Sequence, residues 1–360
     1  MTATPVAGTT AVGSPEITGT PASTTRSAHW RFGGVTAVLL IAAVAHLAVG
    51  SHWLSPAEVV EALRGRGPGP AITIVRDLRL PRTLIGLVAG ALLGAAGALS
   101  QAALRNPLAS PDVTGATAGA VLAAVAFAQS APDSLRTSST GLAAAAFLGG
   151  AAGAGIVVSI ARGRSGALGL LLCGVLVSGL LSATTSLLLL RRSTTIGGTL
   201  TWLVGSLNAR TWPHWHQIWP MAIVAAVAVA AVIPLANLMA LGDTTATNLG
   251  VRARHGRLIL LGVAVLATST SVMVVGAVGF VGLIAPHIAR RLVGGDHRVT
   301  VPMSALTGAA IVTVADLGAQ LLTLHPIIGD ADQRAGLPVG AATALVGAPF
   351  FLVLAVRSRR

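Results

Sequence analysis

Apolar residues in this chain occur in long runs, and short polar segments separate the runs. A helix needs about 20 apolar residues to cross the ~30 Å hydrocarbon core of a bilayer. By this criterion we expect about ten membrane-spanning helices, near residues 32–50, 83–104, 111–131, 141–161, 166–190, 217–241, 258–278, 280–293, 302–324 and 337–356. The pattern therefore predicts an all-α polytopic membrane protein.

The first 28 residues have a different composition, because Thr, Ala, Gly, Ser and Pro dominate them and they contain no apolar core of a signal peptide. We predict a disordered cytoplasmic tail at residues 1–28 and a transmembrane domain at residues 29–360. An even number of spans puts both termini on one side, and the arginines weakly favour the cytoplasm under the positive-inside rule. The arginine-rich segment 64–82 runs against that rule, since it falls on the outer side.

Charge and cysteine content exclude several classes of function. All 24 basic residues are arginine and the formal net charge is +13. A chain without lysine cannot hold the lysine of a phosphate-binding P-loop, so any ATP hydrolysis needs another subunit. The arginines are scattered among short loops, which argues against nucleic-acid binding. Cys173 is the single cysteine, so we expect neither a disulfide within the chain nor a thiolate metal site.

Glycines recur at four-residue intervals inside the predicted spans. Gly86, Gly90 and Gly94 form one such series, and Gly115 with Gly119 repeats it. Small residues at this spacing let helix backbones approach closely in a membrane. The alternative is that glycine is simply abundant, with 43 residues in the chain.

Three separate segments carry a family resemblance. They read RLPRTLIGLVAGALLGAAGALSQAALRNPLASPDVTGATAGA at 79–120, GAVGFVGLIAPHIARRLVGGDHRVTVPMSALTGA at 276–309 and LPVGAATALVGAPFF at 337–351. Together with the dipeptide Ala315-Asp316, they resemble the FecCD family, the permeases of binding-protein-dependent importers for ferric siderophores, haem and vitamin B12. The resemblance extends from about residue 32 to the end of the chain.

The resemblance implies a permease domain at 29–360 in a bacterial inner (cell) membrane, working by alternating access. It implies several partners: a second permease subunit, two ATP-binding cassette ATPase subunits, an extracytoplasmic solute-binding protein and membrane lipid. No catalytic residue, cofactor or metal site is expected in this chain, which is therefore not an enzyme. Ferric siderophores are the favoured substrates, although the sequence does not separate them from haem or corrins.

In relatives, arginines matching Arg79 and Arg82 meet carboxylates of the binding protein, so we expect docking there. The alternative is that both are anchors at a helix end. Where relatives have a third arginine this chain has Gln320, and where they have an acidic residue it has Gly336. Arg334 is the expected replacement for the missing docking arginine.

The resemblance also suggests two sites on the cytoplasmic side. Asn106 and Leu108 match residues near the inner constriction, so they are gate candidates, with a plain tight turn as the alternative. The loop at 242–257 resembles the element that couples the permease to its ATPase, and Leu249 and Gly250 match that pattern best. We interpret Arg252, Arg254 and Arg257 in this loop as positive-inside charges.

Polar residues inside the predicted spans allow a second function for this chain. Asp316 and His287 could serve an ion-coupled secondary transporter, since a buried acid in a span is by default functional. A single histidine without further ligands is more often a hydrogen-bonded packing residue. His214 and His216, which lie among tryptophans, fit an interfacial aromatic belt. An intramembrane enzyme would need a nucleophile or a metal dyad, and we find neither.

Overall fold

A computed structural model describes residues 22–132, 138–161, 167–191, 203–324 and 336–357. Its α-helices are α1 Ala22–Ala48, α2 Pro56–Leu63, α3 Gly69–Thr73, α4 Leu80–Leu104, α5 Ala116–Ser130, α6 Ser139–Ile160, α7 Ala167–Arg191, α8 Trp212–Ala240, α9 Asp243–Asn248, α10 Ala253–Val275, α11 Val281–Val293, α12 His297–Leu324 and α13 Val339–Arg357. A π-helical stretch, Ile74–Arg79, joins α3 to α4, and a 3-10 turn, Pro111–Thr114, precedes α5.

The helices confirm the predicted all-α polytopic fold. Within the described residues, seven helical segments are long and apolar enough to cross a membrane, α5 and α13 are shorter apolar helices, and α11 has 13 residues. Each predicted span overlaps one of these ten helices. Helix α1 begins at Ala22, inside the segment predicted as a disordered tail, because no proline or glycine interrupts residues 22–29. Residues 1–21 lie outside the described residues.

The polar loops gather at two ends of the helix bundle. At one end, Arg257 at the start of α10 donates to the carbonyl of Ala103 at the end of α4. We call this the terminal end, because α1 begins there. At the other end, the amide of Asn208 donates to the carbonyl of Gly336, and the indole of Trp212 donates to that of Arg76. We call this the opposite end.

Helix α4 lies in the middle of the bundle. It packs against α8, α10, α11 and α12, and every residue from Leu92 to Leu104 is buried. Most of these buried residues are alanine, glycine and leucine, which suits a helix that has protein rather than lipid on nearly every side. A displacement of α4 would therefore reach both ends of the molecule.

Glycines set the distance between α4 and its neighbours. A Cβ atom added at Gly90 would overlap the carbonyl of Gly308 on α12, and one at Gly94 would overlap that of Ser304. At Gly97 the added atom would meet the carbonyl of Gly282 on α11. The predicted close approach at Gly90 and Gly94 is therefore present, with backbone against backbone.

Candidate functional site

A buried carboxylate lies near the opposite end, where α1, α4 and α12 meet. Asp316 of α12 is fully buried, and Arg82 of α4 binds it with two hydrogen bonds. Nε of Arg82 donates to Oδ2 at 2.7 Å, and Nη2 donates to Oδ1 at 2.8 Å. Two-point pairs of this kind are the strong form of the arginine–carboxylate interaction. Because burial removes water from the carboxylate, its charge needs such a partner inside the protein.

His46 of α1 completes this charge cluster of Asp316, Arg82 and His46. Its Nε2 lies 2.6 Å from Oδ2 of Asp316, and its Nδ1 lies 2.8 Å from Oγ1 of Thr83. The Thr83 hydroxyl donates its one proton to the carbonyl of Arg79, so Nδ1 is the donor to Thr83. Nε2 faces a carboxylate that can only accept. Nε2 of His46 also lies 2.9 Å from Nε2 of Gln320, so the imidazole ties α1 to α12.

Arg79 caps the C-terminal end of α1. Its Nη1 donates to the carbonyls of Leu47 and Ala48 at 2.8 and 2.9 Å, and its Nη2 donates to that of His52 at 2.6 Å. The last carbonyls of a helix have no partner within the helix, so a guanidinium that satisfies them stabilises the end. The side chain fits because Gly50 leaves room, since a Cβ at that residue would overlap the guanidinium.

A cleft of about 460 Å³ opens beside the charge cluster at the opposite end. Arg210, in the segment before α8, adds a further cation to its wall. Its Nε is buried and makes no hydrogen bond, and burial lowers the pKa of Arg210 to about 10. Arg210 is thus still charged at neutral pH, and an incoming anion would offset the cost of its burial. The polar lining consists of His46, Ser51, Arg79, Arg82, Asn208, Arg210, Thr211, Gln320 and Thr323.

The predicted docking arginines occupy different environments. Arg79 is buried and is held by backbone carbonyls, whereas the side chain of Arg82 is 18% exposed and pairs with Asp316. Gln320, which stands in place of an expected arginine, lies in the same cleft and donates to Asp316 at 3.2 Å. Arg334 lies outside the described residues. The structure thus assigns structural contacts to Arg79 and Arg82, and docking stays a prediction.

The gate candidates lie in a tight loop after α4. Arg105 ends α4 with a left-handed backbone, φ 47°, and the side-chain oxygen of Asn106 accepts from the backbone N–H of Leu108 at 2.9 Å. This is the turn that asparagine commonly forms with the residue two positions later. Asn106 and Leu108 are both half-buried. The contact supports the tight-turn alternative, and the gate role stays a prediction.

The predicted coupling loop is held against α4 and exposes its tip. Arg257 is buried, and its Nη2 donates to both carboxylate oxygens of Asp243 at 3.0 and 3.3 Å, in addition to its bond with Ala103. The interpretation of Arg257 as a plain loop charge was therefore wrong. Leu249 is 57% exposed, and Gly250 has φ 87° with open space around it.

The remaining histidines do not form a metal site in the described part of the chain. No group of three or more metal-ligating side chains occurs there. His287 packs edge-on against Phe350, with ring centroids 5.9 Å apart. A hydrogen-bonded packing residue was expected, but the buried Nε2 of His287 makes no hydrogen bond. His216 Nδ1 lies 2.7 Å from the carbonyl of Trp212, a contact within one turn of α8.

The model of the FecCD transport family matches residues 38–357. The chain belongs to this family. The Fe(3+)-citrate import system permease protein YfmE of Bacillus subtilis is 37% identical, with 88% of this chain and 92% of that protein covered. The cobalamin import system permease protein BtuC of Halobacterium salinarum is 39% identical, with 80% and 74% covered. The Fe(3+) dicitrate transport system permease protein FecD of Escherichia coli is 40% identical, with 79% and 86% covered.

A solved structure shares the architecture of this FecCD permease. It shows an inward-facing conformation of a metal-chelate type ABC transporter, with a TM-score of 0.76 and 29% sequence identity. The alignment covers 91% of this chain and 99% of that chain. The family and the ten helices together make the chain a multi-pass membrane permease.

Two residues of the site were missed by sequence analysis. His46 lies within the first apolar run, and an ionisable residue inside a span is itself a signal of function or pairing. Arg210 gave no such signal, because it stands in a polar segment before α8 and its burial depends on the fold. Arg82 and Asp316 are 234 positions apart in the sequence, which likewise hid their contact.

We expect the charge cluster to stabilise this FecCD permease as a unit. Arg82→Gln or Asp316→Asn alone should lower the free energy of unfolding by about 3 kcal/mol or more, because each leaves the other charge buried without its partner. The double variant should lose less than the sum of the two. The measurement is detergent-induced unfolding of the purified chain in bicelles.

Arg64→Gln, which removes an exposed arginine, is the control and should change stability by less than about 0.5 kcal/mol. Strictly additive losses would refute the pairing.

Proposed function

We propose that this chain is the permease subunit of a bacterial ABC importer for a ferric siderophore or a related iron or corrin chelate. The observation that carries the proposal is the similarity over most of the chain to permeases named for import of Fe(3+)-citrate and cobalamin. Both of those substrates are metal chelates. The proposed orientation in the cell membrane places the terminal end, with both chain termini, in the cytoplasm.

The proposed assembly has a second permease subunit, two ATPase subunits at the terminal end and a solute-binding protein at the opposite end. A polar surface inside the membrane supports the presence of a pathway. Hydroxyl side chains of α7 and the carboxylate of Asp112 line a pocket of about 390 Å³. Polar surface at membrane depth is tolerated where it lines a cavity or is buried in protein. The hydroxyl residues of α7 are Ser178, Ser182, Thr185 and Ser186, and Thr117 of α5 lines the same pocket.

Coupling to the ATPase is proposed at Leu249 and Gly250. Leu249 is exposed at the loop tip, which suits insertion into a groove on the ATPase. Gly250 has no side chain and permits close approach of the ATPase backbone. Arg257 supports the proposal because it binds both the loop, at Asp243, and the end of α4. A force on the loop would thus reach α4 directly. Asn106 and Leu108, in the adjacent loop after α4, are the proposed cytoplasmic gate.

Docking of the binding protein is proposed at the cleft of the opposite end. The cleft has room for an acidic side chain, and Arg82 and Arg210 supply positive charge at its wall. Arg79 is proposed to contribute by holding the end of α1 in place, since its donors already bind carbonyls. Arg334, which precedes α13 in the sequence, is the proposed additional cation.

An ion-coupled secondary transporter is less well supported. Such a carrier needs a carboxylate that exchanges its proton or ion during transport. Asp316 is the acid considered for that role. Its carboxylate accepts two hydrogen bonds from Arg82 and lies 2.6 Å from Nε2 of His46. A carboxylate whose oxygens are held by these side chains serves to tie helices together and is poorly placed to exchange a coupling ion.

The function is tested by reconstitution in proteoliposomes. We expect uptake of a radiolabelled ferric siderophore only when the permease is combined with its ATPase, its binding protein and ATP. The permease alone should hydrolyse no ATP, because it contains no lysine for a P-loop. Uptake by the permease without the ATPase, driven by an ion gradient, would overturn the proposal.

Gly250→Trp should leave membrane insertion normal and uncouple ATP hydrolysis from uptake, because the bulky side chain blocks contact with the ATPase. The measurement is the ratio of chelate imported to ATP hydrolysed in the proteoliposomes. Gly294→Trp is a matched control, since Gly294 has φ 88° and Gly250 φ 87°, and both face open space. Equal ratios in the two variants would place coupling elsewhere.

Arg210→Gln should weaken capture of the binding protein about three- to fivefold, because the cleft loses a partly exposed ion pair worth roughly 1 kcal/mol. The dependence of capture on salt concentration should also become shallower. Surface plasmon resonance on the nanodisc-embedded permease measures both quantities. Arg64→Gln, at an exposed position of the same end, is the control. Unchanged affinity and salt dependence in Arg210→Gln would exclude this residue from docking.

A further inference from the structure

The segment after α4 turns back into the helix bundle. A Cβ atom added at Gly282 of α11 would lie 2.6 Å from the ring of Pro111 and 3.2 Å from the carbonyl oxygen of Leu93 on α4. Leu93 precedes the end of α4, at Leu104, by about 16 Å at 1.5 Å per residue. This is about half of the ~30 Å hydrocarbon core. Asp112, the residue after Pro111, therefore lies at membrane depth.

Helix α7 holds this segment in place. The Ser178 hydroxyl donates to the backbone carbonyl of Asp112 at 3.2 Å. A Cβ atom added at Gly174 would overlap the carbonyl of Val113, so the missing side chain lets α7 approach the segment closely. The Asp112 side chain is half-buried and lines the pocket of about 390 Å³ already described between α5 and α7. We call this pocket the acceptor pocket, for the reason given next.

Most hydroxyls of the acceptor pocket use their protons inside the protein. The Thr117 hydroxyl donates to Oδ1 of Asp112 at 2.8 Å, and the Ser110 hydroxyl donates to Oδ2 at 3.3 Å. On α7, the hydroxyls of Thr185 and Ser186 donate to carbonyls one turn earlier. A hydroxyl has one proton and two acceptor lone pairs. These groups therefore offer acceptors to a molecule that enters the pocket.

The Asp112 carboxylate has no cationic partner among the described residues. The ion pairs found there join other side chains, and no arginine or histidine belongs to the described lining of the pocket. The two hydroxyl bonds leave about half of the lone-pair sites of a carboxylate unused. A charge at membrane depth is costly unless it is paired. The pocket is thus negatively charged and lacks a positive group.

Neither lipid tails nor a second copy of α7 supplies that group. Hydrocarbon cannot satisfy polar groups at this depth. Residues 167–190 of α7 contain no arginine, lysine or histidine, so a second copy that packs through the same helix brings no cation to Asp112. The pocket is also much larger than a single ion, since one water molecule takes up about 30 Å³ of liquid. Its size fits a group carried by a larger molecule.

We propose that the acceptor pocket binds a cationic hydrogen-bond donor of the transported chelate, of the alkylammonium class. The inference rests on the proposed import function and adds the charge of the cargo to it. An ammonium group has three N–H donors, which match the free lone pairs of Asp112 and of the α7 hydroxyls. Its charge offsets the burial of the carboxylate. A neutral arm gains less in this pocket, and a carboxylate arm is repelled.

The test is equilibrium binding of radiolabelled ferric trihydroxamates to the full-length permease in nanodiscs, without ATP. Ferrioxamine B has a free alkylammonium arm, and its N-acetyl and N-succinyl derivatives carry a neutral and a negative arm on the same chelate. We expect the ammonium form to bind about fivefold more tightly than the N-acetyl form, the effect of one partly exposed ion pair. The N-succinyl form should bind more weakly still. Asp112→Asn, which keeps the shape of the side chain, should make the ammonium and N-acetyl forms bind equally.

Asp77→Asn is the matched control, because it makes the same change at an exposed acid of the opposite end. It should keep the wild-type order of the three chelates. Equal binding of the three chelates by wild type, or no binding of any of them, would overturn the proposal. A preference that survives in Asp112→Asn would overturn it as well.

Two further measurements separate the sources of failure. Potassium chloride should displace the ammonium form less effectively than methylammonium chloride at the same concentration. Equal displacement would show a site for a simple metal cation and would overturn the assignment to the cargo. ATP-dependent uptake by the reconstituted complex, together with binding that ignores the charge of the arm, would contradict the acceptor pocket alone. Absence of ATP-dependent uptake would contradict the importer itself.

Discussion

The burial of the Asp316 carboxylate is the constraint on which the arrangement at the opposite end depends. A buried carboxylate must find its partners inside the protein, and it finds them on two other helices, Arg82 of α4 and His46 of α1. The three elements are therefore fixed in both position and rotation. Arg79, one turn before Arg82, adds a second tie by closing the end of α1.

The same logic applies at the other end of α4. Arg257 binds the carbonyl of Ala103 and the carboxylate of Asp243, so the loop proposed to meet the ATPase is attached to the helix that carries Arg82. Between the two ends, Gly90, Gly94 and Gly97 bring α4 into backbone contact with α11 and α12. Helix α4 thus links the proposed coupling loop to the proposed docking cleft. The Asp316 carboxylate of α12, beside the proposed docking cleft, is used for pairing with Arg82.

Local patterns determined how much was predictable from sequence. The spans were predicted because the length of an apolar run is a local property, and the glycine contacts because their spacing places them on one face of a helix. Arg79 and Arg82 show the limit, since they are three residues apart and were expected to act together, yet one binds carbonyls of α1 and the other binds Asp316. Arg257 was interpreted as a loop charge for the same reason. Partners distant in sequence decide what an arginine does.

The central claim is that the Asp316 carboxylate is a structural partner of Arg82 and that ATP alone powers transport. The most direct measurement is the initial rate of ferric siderophore uptake by the reconstituted complex with ATP, before and after ionophores collapse the proton and sodium gradients. Uptake at an unchanged rate is the predicted result. Loss of uptake while ATP hydrolysis continues would contradict it, because an ion exchanged at a site such as Asp316 would then drive the transport step.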